Sequence, residues 1–163
     1  MLKVRHFASL LFILSFFVGL RSSMAANVHF IDPPTVSVDL EEFTVEVSGK
    51  LAGLGNKDVT VIVEVNGTAE IWVYNPGENL PPGKNKVPFY SVDDAIFHPD
   101  AKNGTVTFAL TVDFSGPLDE SLEDTILPNE NWTADLQNID VTSVKVTVVQ
   151  NNKVVLTQTF NNL

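Results

Sequence analysis

The chain has no cysteine, and that excludes a disulfide framework, a zinc–thiolate centre and a cysteine nucleophile at once. Positive charge is scarce. Ten Lys and Arg stand against 20 Asp and Glu in 163 residues, a net charge of −10. This balance argues against electrostatic binding to nucleic acid or to an anionic membrane. Histidine is sparse as well, with three in the chain. G-x-S-x-G, H-E-x-x-H and a phosphate-cradling glycine loop are all missing, and Gly83-Lys84 lacks the spacing of the last. Long hydrophobic runs are missing too. The longest, residues 8–20, falls short of the roughly 20 residues that a spanning helix needs.

That run follows Lys3 and Arg5 and precedes Ser23-Met24-Ala25, which offers small side chains at the −3 and −1 positions of a signal-peptidase site. Charged, apolar and small-residue regions in this order form the pattern of a secretory signal. Cleavage is expected after Ala25. Arg21 just beyond the apolar run is unusual, and an uncleaved anchor is the alternative. Residues 1–25 carry Lys3, Arg5 and Arg21 and no acid, so residues 26–163 hold seven lysines against 20 acids, a net −13. No arginine remains to make a bidentate fork to phosphate or carboxylate. The expectation is an exported, monomeric protein with one domain over residues 26–163 and no membrane insertion after cleavage.

What the chain does have is alternation with period two. Val45 and Val47 alternate with Thr44, Glu46 and Ser48; Val59, Val61, Val63 and Val65 repeat the pattern. Val106, Phe108, Leu110 and Val112 do so again, as do Val144, Val146 and Val148. This is the signature of half-buried antiparallel strands. Firm strands are expected at about 27–31, 43–51, 58–66, 68–74, 104–114, 132–138, 141–150 and 153–160, with weaker ones at 35–40 and 86–90. Asn66-Gly67 and Asn151-Asn152 suit tight hairpin turns. The spacing predicts an all-β, immunoglobulin-like antiparallel sandwich of eight to ten strands, with a small closed barrel as the alternative. Residues 91–103 and 115–131 read as long polar loops, the second with room for a helical turn.

Three sets of residues suggest chemistry. Asp93, Asp94 and Asp100 in one loop, and Asp119, Glu120, Glu123 and Asp124 in the other, are carboxylates of the kind calcium takes in extracellular modules. Neither run has the order of an EF-hand, so a solvated acidic loop is the competing reading; no other cofactor is implied. Trp72 and Tyr74 share one face of a strand, and with Trp132 they are candidates for stacking on sugar rings. Parity alone leaves open whether Trp72 faces the core instead. Asn66, Asn103 and Asn131 head N-glycosylation triplets, which matter only in a eukaryotic host.

The order of motifs is also distinctive. Leu51-Ala52-Gly53-Leu54-Gly55-Asn56-Lys57-Asp58-Val59-Thr60-Val61 is followed by Asn75-Pro76-Gly77 and by Lys102-Asn103-Gly104-Thr105-Val106. Pro128-Asn129-Glu130-Asn131-Trp132-Thr133-Ala134 comes after them. Over about residues 44–160 this resembles a group of small, secreted, uncharacterised microbial proteins with a G-L-G-N-x-D-V-T-V start and a C-P-N-x-N-W-T-A segment. The resemblance implies a small exported domain and no particular activity. It also implies that Val73 and Leu127 stand where such proteins carry cysteines. An apolar pair would then replace a cross-link, with Val73 inside and Trp72 turned outward. The expected function is therefore non-enzymatic interaction outside the cell or at its surface, with an extracellular protein or a polysaccharide. A carbohydrate-binding module and a calcium-dependent module are the alternatives.

Overall fold

Valine alternating with Thr, Ser and Glu makes strands with one packed and one wet face. Such strands build nearly all of the computed structural model, which describes residues 27–77, 79, 85–123, 130–161 and 163. Among the described residues they are β1 (His29–Asp39), β2 (Thr44–Ala52), β3 (Val59–Tyr74), β4 (Asn85–Phe97), β5 (Val106–Asp113), β6 (Thr133–Gln150) and β7 (Lys153–Asn161). One helix, α1 (Ser115–Glu123), lies between β5 and β6. The strands form two antiparallel sheets, ordered β1-β2-β5 and β4-β3-β6-β7. The sandwich is immunoglobulin-like. Its third, sixth and seventh strands share a sheet as C, F and G do, and β4 extends that sheet in the C′ position.

The core lies between the sheets. Val45, Val47, Phe108 and Val112 face Val61, Val63, Val65, Val144, Val146 and Val148 across it, and all are buried. Each such valine stabilises the fold by roughly 1.5–3 kcal/mol relative to exposure. Phe108 is flanked by Phe30 and Phe97, with ring centroids 6.3 and 6.0 Å away.

The strand count is lower than the eight to ten expected, because three pairs of expected strands are single strands. The most instructive case is Asn66-Gly67. It is not a hairpin turn but the middle of β3, paired with Tyr90 and Phe89 of β4 on one side. Gly67 does not adopt positive φ. It is there for space: a Cβ on it would lie 2.1 Å from Cζ of Phe89 and 2.8 Å from the carbonyl oxygen of Asp140. The long strand is accommodated by two bulges in β6, where the register shifts between Asn66 and Gly67 and between Glu70 and Ile71. Thr142 and Gln137 are the extra residues, and a bulge of this kind bends the strand while keeping the flanking ladder. In the same way β1 continues past Pro33-Pro34 through register shifts. Asn151-Asn152 does form the expected turn, with φ of 52° and 59°.

Two expected loops are also partly ordered. β4 runs on to Phe97, so Asp93 and Asp94 are strand residues, and the second connection holds α1. The helix begins where the Asp113 carboxylate accepts hydrogen bonds from the Ser115 N–H (2.8 Å) and hydroxyl (2.7 Å). These bonds hold the Asp113 carboxyl below its ordinary range. Leu118 then drops into the core at 2% exposure.

The two sheets differ in length, and this shapes the molecule's two ends. At the upper end, the Gln150 amide donates to the carbonyls of Leu54 and Lys57, both at 2.9 Å, and pins the β2–β3 loop. At the lower end, β3 and β6 outrun β2, whose last partner there is Asp113. Phe114 helps close the gap by stacking on Phe89 at 5.0 Å and meeting Phe43 edge-on at 6.0 Å.

Candidate functional site

Strand alternation decides the orientation of the aromatic pair. Val73 is buried at 9%, so Trp72 and Tyr74 lie on the outer face of the four-stranded sheet, each half-buried. Trp72 is opposite Asp135 and Tyr74 opposite Thr133. The four ring contacts among the described residues are all between phenylalanines, so Trp72 and Tyr74 do not stack on each other. Trp132 is half-buried one residue before β6, outside the ladder that places Trp72 and Tyr74 on one face. Leu127, the expected neighbour of Val73, lies outside the described residues.

Among the described residues the carboxylates do not converge. Asp93 and Asp94 sit next to each other in β4 and so point to opposite faces of the sheet. Asp100 is in the following turn, where its carboxylate accepts the Lys102 N–H at 2.8 Å. Asp119 and Glu120 are exposed on α1, Glu123 is its last residue, and Asp124 lies outside the described residues. Among the described residues, no group of three Asp, Glu or His side chains is placed to hold a metal ion. His98 pairs with Asp58 at 2.8 Å in a solvated setting at the upper end. Asn66 is exposed in mid-strand rather than at a turn; Asn103 is in the turn before β5, and Asn131 just precedes β6. Among the described residues, no helix is long and apolar enough to cross a membrane.

Across the outer face, one polar row is well made. Glu64 accepts from the Tyr90 hydroxyl at 3.2 Å and from the Lys145 ammonium at 2.7 Å, linking β4, β3 and β6. Desolvation first, and then the Glu64 charge and hydrogen bond, raise the Tyr90 hydroxyl above its ordinary range.

The lower end holds a site that the sequence did not announce. The β1–β2 turn approaches the bulged part of β6 there. Leu40, Phe43, Leu136, Gln137, Asn138 and Ile139 line an open groove of about 290 Å³. Leu40 is 46% exposed, while Leu136 and Ile139 are half-buried against the core. The turn is held in a demanding conformation. Phe43 has φ of 53°, a region that costs a bulky residue about 1–2 kcal/mol. Asp39 Oδ1 offsets the cost by accepting the N–H groups of Glu41 (2.9 Å) and Glu42 (3.0 Å), and the Phe43 carbonyl accepts the Phe114 N–H at 2.9 Å.

Below Ser143, β6 is an edge. It pairs with β3 from Thr133 to Val149 but with β7 only from Ser143 to Gln150. Its lower half thus offers backbone N–H and C=O groups with no strand beside them among the described residues. The signal in the sequence was faint: an exposed Leu40 between acids, and two polar interruptions in an otherwise regular strand. No protein-family model matches the chain, and no curated protein is similar to it.

Proposed function

We propose that this protein is exported and acts without catalysis, as an extracellular or cell-surface binding domain. The observation that carries the reading is the lower end of the sandwich, where a groove of mixed apolar and amide lining adjoins a strand edge that is unpaired among the described residues, on a two-sheet frame. The N-terminal pattern of residues 1–25 supports export, as does the resemblance to small secreted microbial proteins. Expression of the full chain followed by fractionation tests the first half of the proposal. The protein should be found in the medium or on the cell surface with Ala26 as its first residue. Recovery from the cytosol with Met1 intact would refute export. Retention of the purified protein on cell-surface or matrix preparations tests the second half, and absence of retention on all of them counts against it.

A second reading is favoured by one observation, the outward position of Trp72 and Tyr74. A sugar-binding face there predicts retention on insoluble polysaccharide that is lost in Trp72→Ala with the fold intact. Calcium would add to either reading only if retention fell under a chelator.

A further inference from the structure

Building on the binding reading above, we propose that the lower groove docks an extended segment of a partner polypeptide, with a large apolar side chain flanked by lysine or arginine. Three independent features converge on this occupant. The first is the backbone. An antiparallel strand uses alternate residues to bond each neighbour, so the lower half of β6 has N–H and C=O groups directed away from β3 that no strand among the described residues pairs, an edge fit for another extended chain. The bulges at Gln137 and Thr142 divide this half into two four-residue runs, 133–136 and 138–141, so each stretch of strand pairing is short. Short pairing blunts indiscriminate edge-to-edge association and shifts selectivity to a side chain.

The second feature is the groove that would take that side chain. It has about 290 Å³, with apolar walls from Leu40, Phe43, Leu136 and Ile139 and polar ones from Gln137 and Asn138. A dry cavity of about 150 Å³ holds a benzene ring, so a leucine or phenylalanine fits with room for its backbone along β6.

The third feature is charge, and it settles the kind of partner. Asp39, Glu41 and Glu42 are on the turn and Asp135 and Asp140 on β6, beside the groove, while Asp119 and Glu120 of α1 share this end against β4, the far edge of the sheet. Of the described lysines, only Lys86 is there. Lys50, Lys57, Lys102 and Lys153 belong to the opposite end, and Lys145 is midway on Glu64. An end so one-sided attracts a basic segment and speeds its encounter. It repels a second copy of the same chain.

The test uses the full chain and a fluorescent peptide in which lysines alternate with threonines around a central leucine, at about 150 mM salt. We expect saturable binding. Replacing the central leucine by serine, or Leu40→Ser in the protein, should weaken it about tenfold, the effect of withdrawing part of one leucine from an apolar contact. Glu41→Lys with Glu42→Lys should weaken it and flatten its salt dependence. Asp58→Lys, at the other end, should change neither, and a peptide with glutamate for lysine should not bind. Leu40 is an exposed turn residue, so circular dichroism should report an intact fold in Leu40→Ser. No saturable binding, or binding that ignores both leucine changes, overturns the proposal. Should Leu40→Ser be retained on cell-surface preparations as well as the parent protein is, the binding reading survives and this groove is not its site.

Discussion

Replacing Gly67 with alanine is the sharpest test of how the long central strand is built. The added methyl carbon would sit 2.1 Å from Cζ and 2.5 Å from Cε1 of Phe89. Neither neighbour can retreat cheaply. Phe89 is 3% exposed and stacked on Phe114, and the other obstacle, the Asp140 carbonyl, is backbone beside a bulge. Overpacking of this kind costs about 1–3 kcal/mol, and the severity here points to the top of that range. Alanine recovers about 0.4–1 kcal/mol by restricting the unfolded chain. The net loss is then about 2 kcal/mol, which should lower the urea midpoint by about 1 M at a typical slope. Trimming Phe89 to leucine removes the atoms that collide. In a double-mutant cycle, Phe89→Leu should therefore cost about 1 kcal/mol less in the Gly67→Ala background than alone. If Gly67 were at a hairpin tip, the alanine penalty would come from its own backbone and would not couple to residue 89. A Gly67→Ala protein as stable as its parent, or penalties that simply add, would refute the packing argument.

Further outcomes follow from other contacts. Gln150→Leu strips the hydrogen bonds from the Leu54 and Lys57 carbonyls. It should cost about 1–3 kcal/mol by denaturation, and hydrogen exchange should show the 53–58 loop opening first. The Asp113 carboxyl is held below its ordinary 3.8 in the folded state, so its contribution is present above that value and fades as pH falls through the lower folded value. Denaturation followed as a function of pH should show a smaller loss of stability on acidification below pH 3.8 in Asp113→Asn. Glu64→Gln removes the charge that helps raise the Tyr90 hydroxyl, so spectrophotometric titration in a Tyr74→Phe background should show Tyr90 ionising at lower pH.

The fold class could be read from the chain because its signals are local. Val59 to Val65 and Val106 to Val112 alternate without interruption, and Asn151-Asn152 has positive φ at both positions, as a type I′ two-residue hairpin requires. Where the reading failed, a distant residue had decided the outcome. Asn66-Gly67 has the same turn chemistry, but Phe89 needs the space above Gly67, and no window around residue 67 contains that fact. Asp93 and Asp94 drew attention as a loop pair, although Ala95 and Phe97 continue the inward face of β4 past them. The groove was the least visible element. Leu40 and Ile139 are far apart in sequence and meet only because β6 bulges and outruns β2. The orientation of Trp72 was likewise not legible in the strand's own alternation, which fits Trp72 in the core as well as outside; burial of Val73 in the folded sheet decides it.

Hydrogen–deuterium exchange on the full chain, free and then bound to the cell-surface or matrix material that retains it, tests the central claim most directly. Binding at the lower end predicts new protection of amides in residues 133–142 of β6 and in the 39–43 turn, where the free edge exchanges fast. Protection confined to the outer face around Trp72 and Tyr74, with the lower edge unchanged, would contradict it.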